Sequence, residues 1–206
     1  MTEFRPPDQQ FTIRPARAEE SARCQQIAVA AWAPIYASAR QMLGDAIFAH
    51  LHSRWQERKA GQIAAHFQRH PQWVIIACTA LGLDAAALRE SSHGVSHREH
   101  REHAAEVQAE RAAGDQPGAV AGFATFRLDL ETRVGEIGNN AVDPVWQGYG
   151  IATALYERVL DLFRAQGLLL ARVTTGLDDA HAPARAAYRK AGFHAAVPSV
   201  TLYREL

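Results

Sequence analysis

The sequence predicts an α/β fold, a mixed β-sheet with helices on both faces, and three observations carry that prediction. Short runs rich in β-branched residues alternate with longer stretches whose apolar residues recur every three or four positions. The 206 residues are 48% hydrophobic and 21% charged, which suits one domain with a real core over residues 1–206. Finally, the stretch AVDPVWQGYGIATALYERVL, Ala141 to Leu160, runs from the end of a strand through a glycine-bearing turn into an amphipathic helix.

Taken in order, Met1 to Gln10 is polar and proline-bearing and reads as a loose leading segment. FTIRPAR, Phe11 to Arg17, alternates briefly and stops at Pro15, so it reads as a first strand. From Glu19 to Tyr36, Cys24, Ile27, Ala28, Ala31 and Ile35 form one apolar stripe, a helix that Pro34 bends or ends. Residues 40 to 69 read as helical again, with Met42, Ile47, Leu51, Trp55, Ile63 and Phe67 interrupted by Gly44 and Gly61. QWVIIACTA, Gln72 to Ala80, has the short β-branched character of a buried strand. Gly118 to Leu130 and Arg133 to Asp143 then read as a hairpin joined by the ETR link. A helix follows from about Gly150 to Gln166, with Gly167 as its stop. Leu168 to Gly176 is continuous and apolar, as a central strand would be. His181 to Phe193 is a helix with Pro183 in its first turn, and SVTLYREL, Ser199 to Leu206, is a final strand.

Between the second and third strands lies Leu81 to Pro117, too long for a hairpin loop and dominated by Ala, Glu, Arg and His. Its propensity is helical, but with Val107 as the one large aliphatic residue of SHREHREHAAEVQAERAA it buries little, so residues 81–117 read as a polar helical insertion. His93, His97, His100 and His103 have a spacing that would suit a metal. No Cys joins them and an apolar surround is missing, so a solvated polar helix explains them equally well, and no metal site is assigned.

Charge and composition weigh against several partners without excluding them. Lys plus Arg and Asp plus Glu number 22 each, so the mean charge gives no reason to expect nucleic acid or an anionic membrane. No apolar run approaches the roughly 20 residues of a membrane span, and MTEFRPPDQQ has neither the basic region nor the apolar core of a signal segment. The expected location is cytoplasmic. Cys24 and Cys78 lack metal spacing and read as buried thiols rather than a disulfide.

The first amides of a helix beginning near Gly150 have no carbonyl partners and favour an anion, and glycines at 148 and 150 would let a bulky phosphate approach the chain. A tight turn alone would also use two glycines. A nucleotidase P-loop is disfavoured, since Ile151 and Ala152 follow Gly150 where Lys and Ser/Thr are needed. A dinucleotide fingerprint is disfavoured too, since Ala171 and Arg172 stand where an acidic residue belongs.

Gln147-Gly148-Tyr149-Gly150-Ile151-Ala152 resembles the Q/R-x-x-G-x-G/A signature of the GNAT superfamily of acyl-CoA-dependent N-acyltransferases. His181 to Phe193, HAPARAAYRKAGF, resembles that family's later N-x-x-A-x-x-x-Y-x-x-x-G-F element, with His181 where Asn is common. The resemblance is strong from about Gly118 onward, weaker from Phe11 to Ala80 and absent from the insertion. It implies a GNAT-type sheet and acetyl-CoA as cosubstrate. Amides from Gly148 to Ala152 would hold the pyrophosphate, with Gln147 and Thr153 flanking them in the same cofactor loop and His181 near the pantetheine. The arm would lie between Glu136 to Val142 and Leu169 to Thr175, with the Val142 backbone contacting it or the thioester.

The implied reaction is transfer of an acetyl group to a primary amine of a small molecule or peptide, by direct attack through a tetrahedral intermediate. An alkylammonium with a pKa of about 10.4 must first lose a proton. Glu136, six residues before Val142, is the candidate base, unless it simply starts a strand facing solvent; Asn139 and Asn140 could instead position the amine or water. Tyr188 matches the family's acid for the leaving thiolate, with packing as the other explanation of its ring. Trp32, Tyr36 and the helices from Arg40 to His70 occupy the region that shapes the acceptor pocket in the family. A homodimer is compatible with this expectation. A non-catalytic acyl-CoA sensor or interaction module on the same fold is the alternative function.

Overall fold

The computed structural model describes residues 11–79 and 118–204. Five strands, β1 (Phe11–Pro15), β2 (Val74–Thr79), β3 (Val120–Asp129), β4 (Val134–Val142) and β5 (Leu170–Val173), form one sheet in chain order. The first three neighbouring pairs are antiparallel and β4 pairs with β5 in parallel, so the sheet is mixed. Helices α1 (Ser21–His52) and α2 (Trp55–Arg69) come between β1 and β2, α3 (Ile151–Ala165) between β4 and β5, and α4 (Ala182–Lys190) after β5.

The two faces of the sheet bury separate clusters, as alternating strand side chains require. Ile27, Ile63 and Phe67 of α1 and α2 meet Val74, Ile76, Cys78 and Phe123 on one face. Leu155, Val159 and Phe163 of α3 meet Ile13, Ile75, Phe126 and Ile137 on the other, where Tyr188 of α4 joins them. Cys24 and Cys78 are free thiols in the first cluster, raised by burial to about 12 and about 11. Among the described residues no helix is long and apolar enough to cross a membrane.

Several expectations need correction. The helix beginning near residue 20 does not end at Pro34; α1 continues to His52 and breaks its helical geometry at Gly44, where φ is 75° and ψ is 164°. A proline costs one helix hydrogen bond, whereas a left-handed extended residue cannot be helical at all. Gly61 lies inside α2 without interrupting it. The run from Leu168 to Gly176 forms a strand of only four residues, and among the described residues it lies at the edge of the sheet rather than at its centre, because no further described strand adds to its outer side. Of the strand expected over Ser199–Leu206, the described residues 199–204 join no ladder and are exposed. Strand propensity supplies no structure without a neighbour for the backbone to bond. The helical insertion, with its four histidines, and the loose segment 1–10 lie outside the described residues.

One irregularity positions the site. Ala124 pairs with Asn140 while Phe126 pairs with Ile137, so Gly138 and Asn139 together oppose Thr125 in a β-bulge. The Thr125 hydroxyl donates to the Asn139 carbonyl at 3.0 Å, and a Cβ at Gly138 would stand 2.7 Å from that hydroxyl oxygen. The extra residue reverses the alternation of side chains along β4. Ile137 faces α3, and after the bulge Asn140 and Val142 face α3 and α4 as well.

The bulge therefore predicts a coupled pair of substitutions. Gly138→Ala should lower the unfolding free energy by about 1–3 kcal/mol through overpacking, measured by urea denaturation. In a Thr125→Ala background the same change should cost clearly less, because the clashing oxygen is gone. Equal costs in both backgrounds would show that Thr125 does not constrain Gly138.

Candidate active site

Pairing between β4 and β5 stops at Ile137 with Val173. Beyond that point β4 runs on from Gly138 to Val142 while the chain after β5 turns away through Thr174 and Thr175, leaving a wedge between them. A cavity of about 760 Å³ fills this wedge and extends beneath α1 and α2 on one side and to α3 and α4 on the other. Gly122 and Val142 are a non-hydrogen-bonded pair, because the Asp143 amide bonds the Ala121 carbonyl at 2.8 Å. The N–H and C=O groups of Val142, and of Asn140 two residues earlier, thus point away from β3 into the wedge. The Val142 carbonyl accepts from Gln147 Nε2 at 3.2 Å and the Asn140 carbonyl from Trp32 Nε1 at 3.5 Å.

The loop entering α3 is built from its first residue. Asp143 is buried, ion-paired with Arg23 of α1, and accepts from the Val145 amide at 3.1 Å. Trp146 sinks into the core with the Tyr149 ring edge-on at 6.0 Å. Gly148 and Gly150 then adopt φ values of 91° and 79°, in the left-handed region that strains any other residue except, at times, Asn or Asp. Gly150 is the N-cap of α3; no side chain caps the helix and its first turn holds no acidic residue. The amides of Ile151, Ala152 and Thr153 thus end a fifteen-residue helix at the cavity wall, where they and the helix dipole favour an anion. Gly148, Gly150, Ile151, Ala152 and Thr153 all line the cavity. Tyr149 packs against the core instead.

At the inner end, Tyr188 is buried beside Tyr156, their ring centroids 4.7 Å apart. Asn140 joins them: Tyr156 Oη donates to Asn140 Oδ1 at 2.7 Å, and Asn140 Nδ2 donates to Tyr188 Oη at 3.0 Å. Burial pushes the Tyr188 phenol up, while hydrogen bonds with Asn140 and Tyr156 pull it partly back. Burial, and then Tyr188, push Tyr156 far up. Both phenols therefore carry their protons at neutral pH. His181 is the N-cap of α4, and its Nδ1 lies 2.5 Å from Asp178 Oδ1, in the turn expected for Asp178 and Asp179.

Glu136 reaches the cavity from the opposite face of β4, before the bulge. Its Oε2 accepts from Arg172 of β5 at 2.8 Å and 3.3 Å. The structure thus brings Glu136 and Tyr188 to one cavity from two sides of the sheet rather than side by side. Near Glu136, His66 of α2 lines the same cavity; it is 8% exposed, and its Nε2 is buried with no hydrogen-bond partner among the described residues. Burial, then His70 and Arg127, lower its pKa, so it stands neutral at pH 7. Trp32 and Ile35 line the cavity as expected for that region, whereas Tyr36 stacks on Trp55 at 4.2 Å.

Three contributors were missed in the sequence: Tyr156, His66 and Lys59. Tyr156 sits on the apolar face of its helix, and the available signal was that a buried phenol needs a partner, which Asn140 supplies. His66 and Lys59 carried the same signal, as polar residues on the buried side of α2. Lys59 Nζ lies 3.3 Å from the Trp32 ring centroid, donates to Asn139 Oδ1 at 3.0 Å and to Gln62 Oε1 at 3.1 Å, and so ties α1 and α2 to the bulge.

Comparison with known proteins gives a consistent set of matches. The sequence model of the acetyltransferase (GNAT) family matches residues 82–193. No curated protein matches the chain by sequence. Among solved structures, a mutant of the BH1408 protein of Bacillus halodurans superposes with a TM-score of 0.55 at 14% identity, covering 94% of this chain and 99% of that one. The paia N-acetyltransferase of Thermoplasma acidophilum, in complex with coenzyme A, gives 0.55 at 12% identity and 89% of each chain. A GNAT family acetyltransferase of Brucella melitensis, in complex with acetyl-CoA, gives 0.50 at 19% identity, covering 90% of this chain and 83% of that one.

Burial lowers the Lys59 pKa from 10.5 to about 8. Between those values the unfolded chain binds the proton that the folded one has lost, so the stability contributed here rises with pH across that window. The unfolding free energy of wild type relative to Lys59→Met should accordingly increase from pH 8 to pH 10.5, by urea denaturation at each pH. A flat or falling difference would show that Lys59 keeps an ordinary ammonium.

Proposed function

Because the chain belongs to the GNAT acetyltransferase family, we propose that it transfers an acetyl group from acetyl-CoA to a primary amine of a small molecule or peptide. The observation that carries the reading is one cavity bounded at one end by the uncapped α3 N-terminus and at the other by a buried, protonated phenol. The pyrophosphate belongs at the amides of Gly148 to Thr153, where left-handed glycines keep side chains out of its way. The pantetheine arm belongs in the wedge, against the amides of Asn140 and Val142, with Gln147 holding the Val142 carbonyl and His181 bordering the opposite wall. When bound, acetyl-CoA supplies the activated thioester.

The acceptor amine enters beneath α1 and α2, between Trp32, His66 and Glu136. Glu136 takes its proton. The Arg172 ion pair does not prevent this, since the Arg172 side chain is largely exposed and such pairs are worth little against water. Tyr188 serves the leaving sulfur. A phenol with a reference pKa of about 10 does not fully protonate a thiolate of about 8.5, and burial widens that gap. Its contribution is a hydrogen bond to the sulfur as charge develops. Asn140 holds the phenol in place: its Nδ2 donates to the Tyr188 oxygen at 3.0 Å, and its Oδ1, which accepts from Tyr156 at 2.7 Å, also accepts from Tyr188 at 3.4 Å. The Tyr188 O–H exchanges that long hydrogen bond for one to the sulfur as charge develops.

A non-catalytic acyl-CoA sensor on the same fold is the second reading, favoured by the engagement of Glu136 with Arg172. Release of free thiol from acetyl-CoA across an amine panel separates the two, and two variants test the roles. Glu136→Gln should lower turnover mainly near neutral pH and recover as the pH approaches the amine's pKa of about 10.4. Tyr188→Phe, which keeps the ring's packing, should lose about 10²-fold or more in turnover without recovery at high pH. Tight acetyl-CoA binding without thiol release for any amine would favour the sensor; wild-type turnover in either variant would remove that residue from the mechanism.

A further inference from the structure

Three charged side chains stand in a row across the sheet where the cavity reaches beneath α1 and α2. Arg127 of β3 is opposite Glu136 of β4, and Glu136 is opposite Arg172 of β5. Residues directly opposite one another on neighbouring strands share a face. That face is the one α1 and α2 cover, since Arg127 follows Phe123 and Thr125 at alternate positions of β3 and Phe123 packs beneath those helices. Arg172 engages the Glu136 carboxylate at 2.8 Å. Arg127 lines the cavity beside them and, among the described residues, makes no hydrogen bond or ion pair.

Charge balance then selects among amines. Glu136 is the one carboxylate lining the cavity among the described residues, and Arg172 already neutralises it. This end of the cavity is left with the uncompensated positive charge of Arg127. His66 adds a polar group there without adding negative charge: it is neutral at pH 7, and its buried Nε2 has no hydrogen-bond partner among the described residues. An acceptor with a second ammonium, as in a polyamine or an aminosugar, would find no further carboxylate and would meet Arg127 with like charge. A peptide amine has no carboxylate next to its nitrogen and leaves Arg127 unused.

We propose that the acceptor is a free amino acid, its amine at Glu136 and its carboxylate bound by the Arg127 guanidinium with His66 beside it. The place of the amine rests on the acetyl-transfer reading above. A guanidinium presents two parallel N–H donors to a carboxylate, a match that fixes the orientation of a small molecule as well as holding it. Opposed Cα atoms of an antiparallel pair lie about 4.5–5.5 Å apart, so the two side chains address groups a few bonds apart in one ligand. The step itself is unchanged. The amine nitrogen bonds the thioester carbonyl carbon, the carbon–sulfur bond breaks, coenzyme A leaves, and the amine proton passes to Glu136.

Thiol release with the twenty standard amino acids, the amine each leaves on losing its carboxylate, and spermidine tests the proposal, together with calorimetry of the same compounds against the protein loaded with coenzyme A. At least one amino acid should exceed its decarboxylated counterpart by about 10-fold or more in kcat/KM, the scale of one hydrogen-bonded charge, and spermidine should be poorer still. Arg127→Gln, at an exposed position, should bring that ratio close to one. A wild type that prefers the decarboxylated amines or spermidine, or a preference for amino acids that survives in Arg127→Gln, overturns the proposal and leaves acetyl transfer standing. If no compound releases thiol, acetyl transfer fails and calorimetry decides: amino-acid binding that Arg127→Gln weakens about 10-fold supports the carboxylate site. Absent binding, or binding indifferent to Arg127→Gln, overturns it.

Discussion

The parting of β4 from β5 after Ile137 and Val173 is the constraint on which the rest depends. A parallel pair that stops halfway leaves N–H and C=O groups directed into a buried space, and each such group is costly without a partner. Here two carbonyls are satisfied from within, Val142 by Gln147 and Asn140 by Trp32. What remains is a row of amide donors along one wall of a cavity. An extended ligand with carbonyl acceptors would complete that row, which is why the proposed site is placed at the interrupted sheet.

Two devices turn this surface into a site. Left-handed Gly148 and Gly150 deliver the chain into α3 with its first amides uncapped at the cavity's mouth. The bulge at Gly138 and Asn139 rotates the strand, so that Glu136 and Asn140 address the cavity from opposite faces of the sheet. Without the extra residue Asn140 would face α1 and α2, and the hydrogen bonds that hold Tyr188 through Asn140 and Tyr156 could not form. Charge is distributed along the same axis. The helix end favours an anion, the buried phenols stay neutral, and the ionisable groups His66, Arg127 and Glu136 line the part of the cavity beneath α1 and α2.

Much of this was legible in the sequence, for physical reasons that differ by element. The glycine turn, the hairpin and the α3 stripe are local patterns, and each appeared within two residues of its expected bounds. Gly148 and Gly150 were legible because positive φ leaves a compositional mark. The position of β5 at the edge of the described sheet was not, since an apolar run looks the same at the centre of a sheet as at its edge. The segment after Pro198 misled for the same reason: it has a strand's sequence, and a ladder is a property of two segments. The hydrogen bonds among Tyr156, Asn140 and Tyr188 join residues 16 and 48 positions apart and depend on a bulge that no periodicity announces.

The central claim, that the wedge and the helix end together receive an acyl-CoA, is tested most directly by amide chemical shifts in the labelled protein as coenzyme A is titrated in. The account predicts that the amides of Gly148 to Thr153 shift together with those of Asn140 and Val142, and that pantetheine lacking the nucleotide perturbs the strand amides while leaving the helix end unchanged. Coenzyme A that binds without moving the amides of Ile151, Ala152 and Thr153 would contradict it.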